Sequence, residues 1–234
     1  MNEIDRQVEL AQMFTPLLRT STKEQWPAVR EFLKDRGVDP DRAAVGDVFP
    51  DQGLFIIVAA EDGRAFELTT WFEPDDETNY VIESWHELAG DGRDIHSGAL
   101  YGAFALLSEE TEGVADPVEI LVETVERSTR ELRQEDDWTP LRQAMLEAGV
   151  DPRRAILVDW VHSLAVDAPP ERSGTLYVDG RWFAFTAGED SPVGRMEQVW
   201  TWRASDEPEA RDRHGPLVDA ALRAASKEAL GGES

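Results

Sequence analysis

The stretch GVDPDRA at residues 37–43 returns 112 positions later as GVDPRRA at residues 149–155, with six of seven letters unchanged. The apolar positions Trp26, Val29 and Leu33 that precede it recur at helical spacing. A helix running through them and ending before Gly37 places that glycine at the left-handed position past the C-cap, where a side chain is penalised. Val38 then falls where it can touch Leu33, and Val150 where it can touch Met145, the apolar contact that accompanies such a stop. Pro40 prevents the helix from resuming and holds Asp39 extended. The repeated string therefore reads as a helix terminator feeding a strand, not as a catalytic loop.

Working outward, the match continues in order. Trp26 and Arg30 correspond to Trp138 and Arg142, and Arg42, Ala43 and Asp47 to Arg154, Ala155 and Asp159. Further along, Asp62-Gly63-Arg64, Phe66 and Trp85 meet Asp179-Gly180-Arg181, Phe183 and Trp202, and Arg93-Asp94-Ile95-His96 meets Arg211-Asp212-Arg213-His214. Ordered matches with a slowly drifting offset point to an internal duplication. Each copy opens with an amphipathic helix, carrying Ile4, Val8, Ala11, Phe14 and Leu18 or Val118, Leu121, Val125 and Leu132. A second helix is expected to begin near Thr22, in a T-x-x-Q capping box, or near Asp136, with Pro27 and Pro140 in its first turn. Four strand-like runs follow, with Asp62-Gly63 and Asp179-Gly180 expected as two-residue hairpin turns. A last helix is capped by Ser97 in one copy and holds Pro216 early in the other. The expected fold is α+β, as two tandem copies of a helix, helix, four antiparallel strands, helix unit related by a pseudo-two-fold axis. The boundary falls at TEGVADP (111–117), giving repeats 1–113 and 114–234 and a pseudo-dimeric monomer.

The totals bound the function. With 48 Asp and Glu against 23 Lys and Arg the formal net charge is −25, and both halves share it: 24 acids against 9 bases in residues 1–112, and 24 against 14 thereafter. A field of that sign repels nucleic acid and anionic membrane surfaces and attracts cationic partners. At 41% hydrophobic residues the chain can build cores. It has no Cys, which excludes disulfides and thiolate chemistry. No basic, apolar leader and no long apolar run occur, so a cytoplasmic location is expected.

Nucleophile elbows, phosphate-binding glycine loops and zinc-helix motifs are missing. No cofactor or metal is expected, and binding is favoured over catalysis. Trp71, Trp182, Trp200 and Trp202 fall on or beside the last two strands of the copies, where aromatic residues serve as anchors if a partner covers them. The acids Glu73, Asp75, Asp76 and Glu77, and Glu189 and Asp190 in the second copy, flank those strands and suit a basic protein partner. One alternative is an enzyme or metal protein built on Asp94, His96, Asp212 and His214, with each His as base or ligand and each Asp orienting it. Another is a chaperone or scaffold using the groove between copies. Asp47 and Asp159 are expected as solvated residues of an edge strand.

A DGR-x-F hairpin, an acidic loop and the strand Arg195-Met-Glu-Gln-Val-Trp200-Thr-Trp202-Arg203 resemble the YezG type of bacterial immunity proteins, small acidic antitoxins that neutralise nuclease toxins. The likeness spans about sixty residues in each copy; the chain departs from that pattern in carrying the unit twice and in having only three Tyr. The resemblance implies a cytoplasmic non-enzyme that binds a cationic toxin domain.

Overall fold

The computed structural model describes residues 2–20, 22, 25–50, 54–73, 76–89, 91–114, 116–163, 171–188 and 198–231. The protein is α+β, with two four-stranded antiparallel sheets in sequential strand order. It divides into two compact units, Met1–Leu121 and Val122–Ser234.

The first unit holds α1 (Glu3–Thr20), α2 (Trp26–Asp35), β1 (Ala43–Pro50), β2 (Leu54–Ala60), β3 (Ala65–Glu73), β4 (Asp76–Glu87), α3 (Asp91–Ile95) and α4 (Ser97–Glu110). Its sheet is buried on both faces, which is why β2 reads as an unbroken apolar run. Ile56 and Val58 point with Val45, Phe66 and Leu68 into a core closed by Leu18, Trp26, Val29 and Leu33 of α1 and α2. Ile57 and Ala59 point the other way, with Ala44 and Ala65, against Leu100, Ala103, Phe104 and Leu107 of α4. The two helices α1 and α4 approach closely at Gly102, where a Cβ would lie 2.5 Å from the Gln7 carbonyl oxygen.

The second unit carries most of α5 (Pro117–Gln134), then α6 (Thr139–Glu147), β5 (Ile156–Ser163), β6 (Glu171–Val178), β7 (Arg181–Gly188), β8 (Gln198–Ser205), α7 (Glu207–His214) and α8 (Pro216–Gly231). Leu132, Trp138, Leu141 and Met145 pack on one face of its sheet against Leu157, Leu176, Phe183 and Phe185.

The GVDP strings do end helices. Gly37 and Gly149 both have φ of +71°. Val38 N donates to Leu33 O at 2.9 Å and Gly37 N to Lys34 O at 2.9 Å; Val150 N and Gly149 N do the same to Met145 O and Leu146 O at 2.8 and 3.0 Å. These paired bonds satisfy carbonyls that a helix end would otherwise leave open. The strand does not start at once, however. Asp39 and Asp151 each cap a one-turn 3₁₀ helix, accepting from Asp41 N and Arg153 N at 3.0 Å.

Other expectations are corrected. The capping box at Thr22 gives way to a start at Trp26, because Pro27 sets the first turn and Gln25 stands at the N-cap without a side-chain bond. Ser97 is already inside α4, and His96 occupies its N-cap. The hairpin at Asp179-Gly180 is the two-residue turn expected, with both residues at positive φ (49° and 81°) between Val178 and Arg181. The one at Asp62-Gly63 is longer: Ala60 N donates to Arg64 O, so Glu61, Asp62 and Gly63 form a three-residue loop with only Gly63 left-handed.

One side of each sheet is sealed by side chains. Val45 N on β1 donates to the buried Thr15 hydroxyl of α1 at 3.0 Å, and Arg19 Nε donates to Ala43 O at 3.1 Å while its guanidinium pairs with Glu110 of α4. In the second unit Leu157 N donates to Thr129 Oγ1 at 3.0 Å, and Arg133 donates to Ala155 O at 2.8 Å while pairing with Glu228 of α8. Arg30 and Arg142, matched in the sequence, donate at 3.0 Å to Leu18 O and Leu132 O, tying each second helix to the end of the first.

Candidate functional site

Register places Asp47, Ile57, Glu67 and His86 side by side across the first sheet. The break between α3 and α4 delivers His96 onto this row. Its Nε2 lies 3.1 Å from Glu67 Oε2, and its ring is 5.7 Å from that of Phe55. On the other side of the same carboxylate, His86 Nδ1 is 3.7 Å from Glu67 Oε1, with its side chain exposed. Toward the far strand ends, Phe49 meets Phe55 edge-on at 5.9 Å. Phe49 and Trp71 are exposed there. Asp47 is buried, contrary to the solvated position expected of it; a β-bulge after Val45 turns its carboxylate to accept from Val48 N at 2.7 Å.

The second unit places a histidine on its sheet in the same manner but with other partners. A bulge after Leu157 sets Asp159 beside Thr175. His214, at the end of α7, has Nδ1 3.3 Å from Asp159 Oδ2 and Nε2 2.7 Å from Thr175 Oγ1. A hydroxyl, an imidazole and a carboxylate in line have the connectivity of an acyl-transfer triad. Burial decides against that chemistry: Thr175 is 1% and His214 6% exposed, so no acyl carbon can approach the hydroxyl. The His214–Thr175 hydrogen bond and the His214–Asp159 contact instead latch α7 to β6 and β5.

The paired Asp-x-His sets are thus split within each unit. His96 and His214 face sheet carboxylates, whereas Asp212 lies exposed on α7 and the Asp94 side chain falls outside the described residues. Among the described residues no group of three or more His, Asp or Glu is placed to hold a metal ion.

Of the binding residues expected from sequence, Trp71 is 41% exposed on β3. Trp202 is half-buried and stacked on Phe183 at 5.0 Å, and Trp182 is buried against Tyr177. Trp200 belongs to β8, Glu73 to β3, and Asp76 and Glu77 to β4, but their side chains lie outside the described residues, as do Asp75, Glu189 and Asp190 altogether. Sequence reasoning used Trp85 only as a marker of the repeat. The structure places it on β4, 43% exposed, edge-on to Phe32 at 5.4 Å and with the Arg36 guanidinium 4.1 Å from its ring centroid. Its signal was a Trp between Glu83 and Glu87 in a strand at the sheet's edge.

A cleft of about 470 Å³ lies in the second unit, lined by Arg153, Arg154, Tyr177, Leu222 and Ser226. Its guanidinium groups are engaged, Arg153 with Asp151 at 2.9 Å and Arg154 with Asp179 at 2.6 Å. No helix among the described residues is long and apolar enough to cross a membrane.

Compared with known families, curated proteins and solved structures, the chain has no match.

Proposed function

We propose that the protein is a non-enzymatic acidic binding protein, of the immunity or antitoxin kind, that neutralises a basic protein partner in the cytoplasm. The observation that carries this reading is the pairing of exposed aromatic side chains on the first unit, Trp71, Trp85 and Phe49, with a net charge of −25. Large exposed aromatics anchor interfaces once a partner desolvates them. The negative field speeds encounter with a cation and rejects nucleic acid.

The same reading takes the chain as an internal duplication. Support comes from devices that recur in both units: the GVDP helix stop, the bulge before Asp47 and Asp159, the Thr15 and Thr129 edge bonds, and the Arg19–Glu110 and Arg133–Glu228 pairs. The acidic aromatic strands resemble those of YezG-type immunity proteins, and a cationic nuclease-like toxin domain is the partner that likeness suggests.

The test is co-expression with a basic toxin domain encoded beside the gene, followed by titration of the purified pair. Protection of growth, an affinity that falls about tenfold or more between low and physiological salt, and a further tenfold loss in Trp71→Ala are the expected results. Salt-independent binding, or full affinity in Trp71→Ala, refutes this assignment.

A further inference from the structure

The two edges of the first sheet are not alike. At β1 two outward backbone groups, Val45 N and Ala43 O, are taken up by the Thr15 hydroxyl and the Arg19 guanidinium of α1, which obstructs strand addition at that end. At β4 the strand order leaves the far side without a neighbour among the described residues. This strand pairs with β3 from Tyr80 to Glu87, roughly 25 Å, with a β-bulge at Glu83 between the Thr69–Ser84 and Thr70–Ile82 pairs, and Glu83, Ser84, Trp85, His86 and Glu87 are all exposed in succession. A long exposed edge is a template for strand pairing unless something guards it. Here the exposed charges are acidic, Glu83 and Glu87, and the nearby Arg64 is clasped by Asp62 at 2.7 Å. Like charges deter a second copy of this strand, and they favour a basic one.

Resting on the reading of the protein as an acidic binder, we propose that β4 accepts an extended cationic segment of its partner as a fifth, antiparallel or parallel, strand. Main-chain bonds to residues 81–87 supply the affinity and the side chains supply the selection. Glu83 and Glu87 meet lysine or arginine on the incoming strand. Trp85 already carries the Arg36 guanidinium on its ring within this chain, and its remaining exposed surface is left for apolar contact with the incoming strand.

The test uses the intact protein and three synthetic peptides: one alternating arginine with valine, the same composition interrupted by proline so that it cannot pair, and one alternating glutamate with valine. The arginine–valine peptide is expected to bind, to protect the amides of residues 81–87 from hydrogen exchange, and to bind at least tenfold more tightly than the proline peptide. The glutamate peptide is expected not to bind. The double variant Glu83→Lys/Glu87→Lys, at exposed positions, should lose tenfold or more with an unchanged circular dichroism spectrum. If both cationic peptides bind equally, or protection falls elsewhere than β4, strand addition is overturned while the acidic-binder reading stands. If neither cationic peptide binds at low salt, that reading fails and the inference fails with it.

Discussion

At the scale of single residues, the glycines separate two physical requirements that look identical in sequence. Gly37 and Gly149 are needed for their backbone angle, since nothing lies within 4 Å of a Cβ added to either. Gly46 and Gly174 are needed for space. A Cβ on Gly46 would lie 2.4 Å from the Ala99 carbonyl oxygen where α4 crosses β1, and one on Gly174 2.6 Å from the Asp159 oxygen and 2.7 Å from the Phe185 ring. Alanine at Gly37 therefore costs about 1–2 kcal/mol of left-handed strain with the packing left intact. Alanine at Gly46 meets rigid backbone and forces α4 off the sheet, at a cost of about 3 kcal/mol. Urea unfolding of the two variants tests the order, and an equal or reversed ranking contradicts it. The same contrast marks how far sequence could reach. The Gly37 requirement is local, written in its neighbours Leu33, Val38 and Pro40, and was legible. The Gly46 requirement, the burial of Asp47 and the contact of His96 with Glu67 depend on a bulge and on a helix fifty residues away, so no local pattern announces them.

At the scale of elements, the long helices and the apolar strands could be read because each carries several turns or alternations of pattern. The short helices α3 and α7 could not. Five residues are too few for a period, and EPEARDRH in α7 is polar on nearly every side. What defines α7 is its first turn. Asp206 at the N-cap accepts from Glu209 N at 2.9 Å, and the Glu209 carboxylate is held by Arg203 on β8, by the Ser205 hydroxyl at 2.9 Å and by Arg213 at 3.1 Å. These donors, Arg203 foremost, depress the Glu209 carboxyl from 4.5 to about 2. A depressed carboxylate stabilises the folded state above its unfolded value and loses that contribution as pH falls through the folded one. The clamp between β8 and α7 is thus complete above about pH 4.5 and released only near pH 2. A carbon-detected NMR titration should find the Glu209 midpoint near 2, moving up toward its ordinary value in Arg203→Gln. A wild-type midpoint already at the ordinary value would show that Arg203 does not hold it.

At the scale of the whole molecule, charge sets conditions that no single contact does. The ion pairs seen on the surface, such as Arg19–Glu110 and Arg211–Asp219, are partly solvated and each contributes about 1 kcal/mol or less. Against them stands the mutual repulsion of a net −25 spread over both units. Repulsion between many like charges is long-ranged and the pairs are short-ranged, so added salt screens the first more than the second. The screening length falls from about 30 Å at 0.01 M to about 8 Å at 0.15 M. Raising sodium chloride across that interval should therefore stabilise the protein by about 1 kcal/mol, a rise in melting temperature of roughly 4 °C. A neutral osmolyte at matched osmolality should not reproduce the rise. Complex formation with a basic partner should respond in the opposite sense, weakening over the same interval, because there the attraction is what salt removes. A melting temperature that falls with salt would mean that the surface pairs outweigh the net field, and that the excess of acids is balanced locally and unable to steer a distant cation.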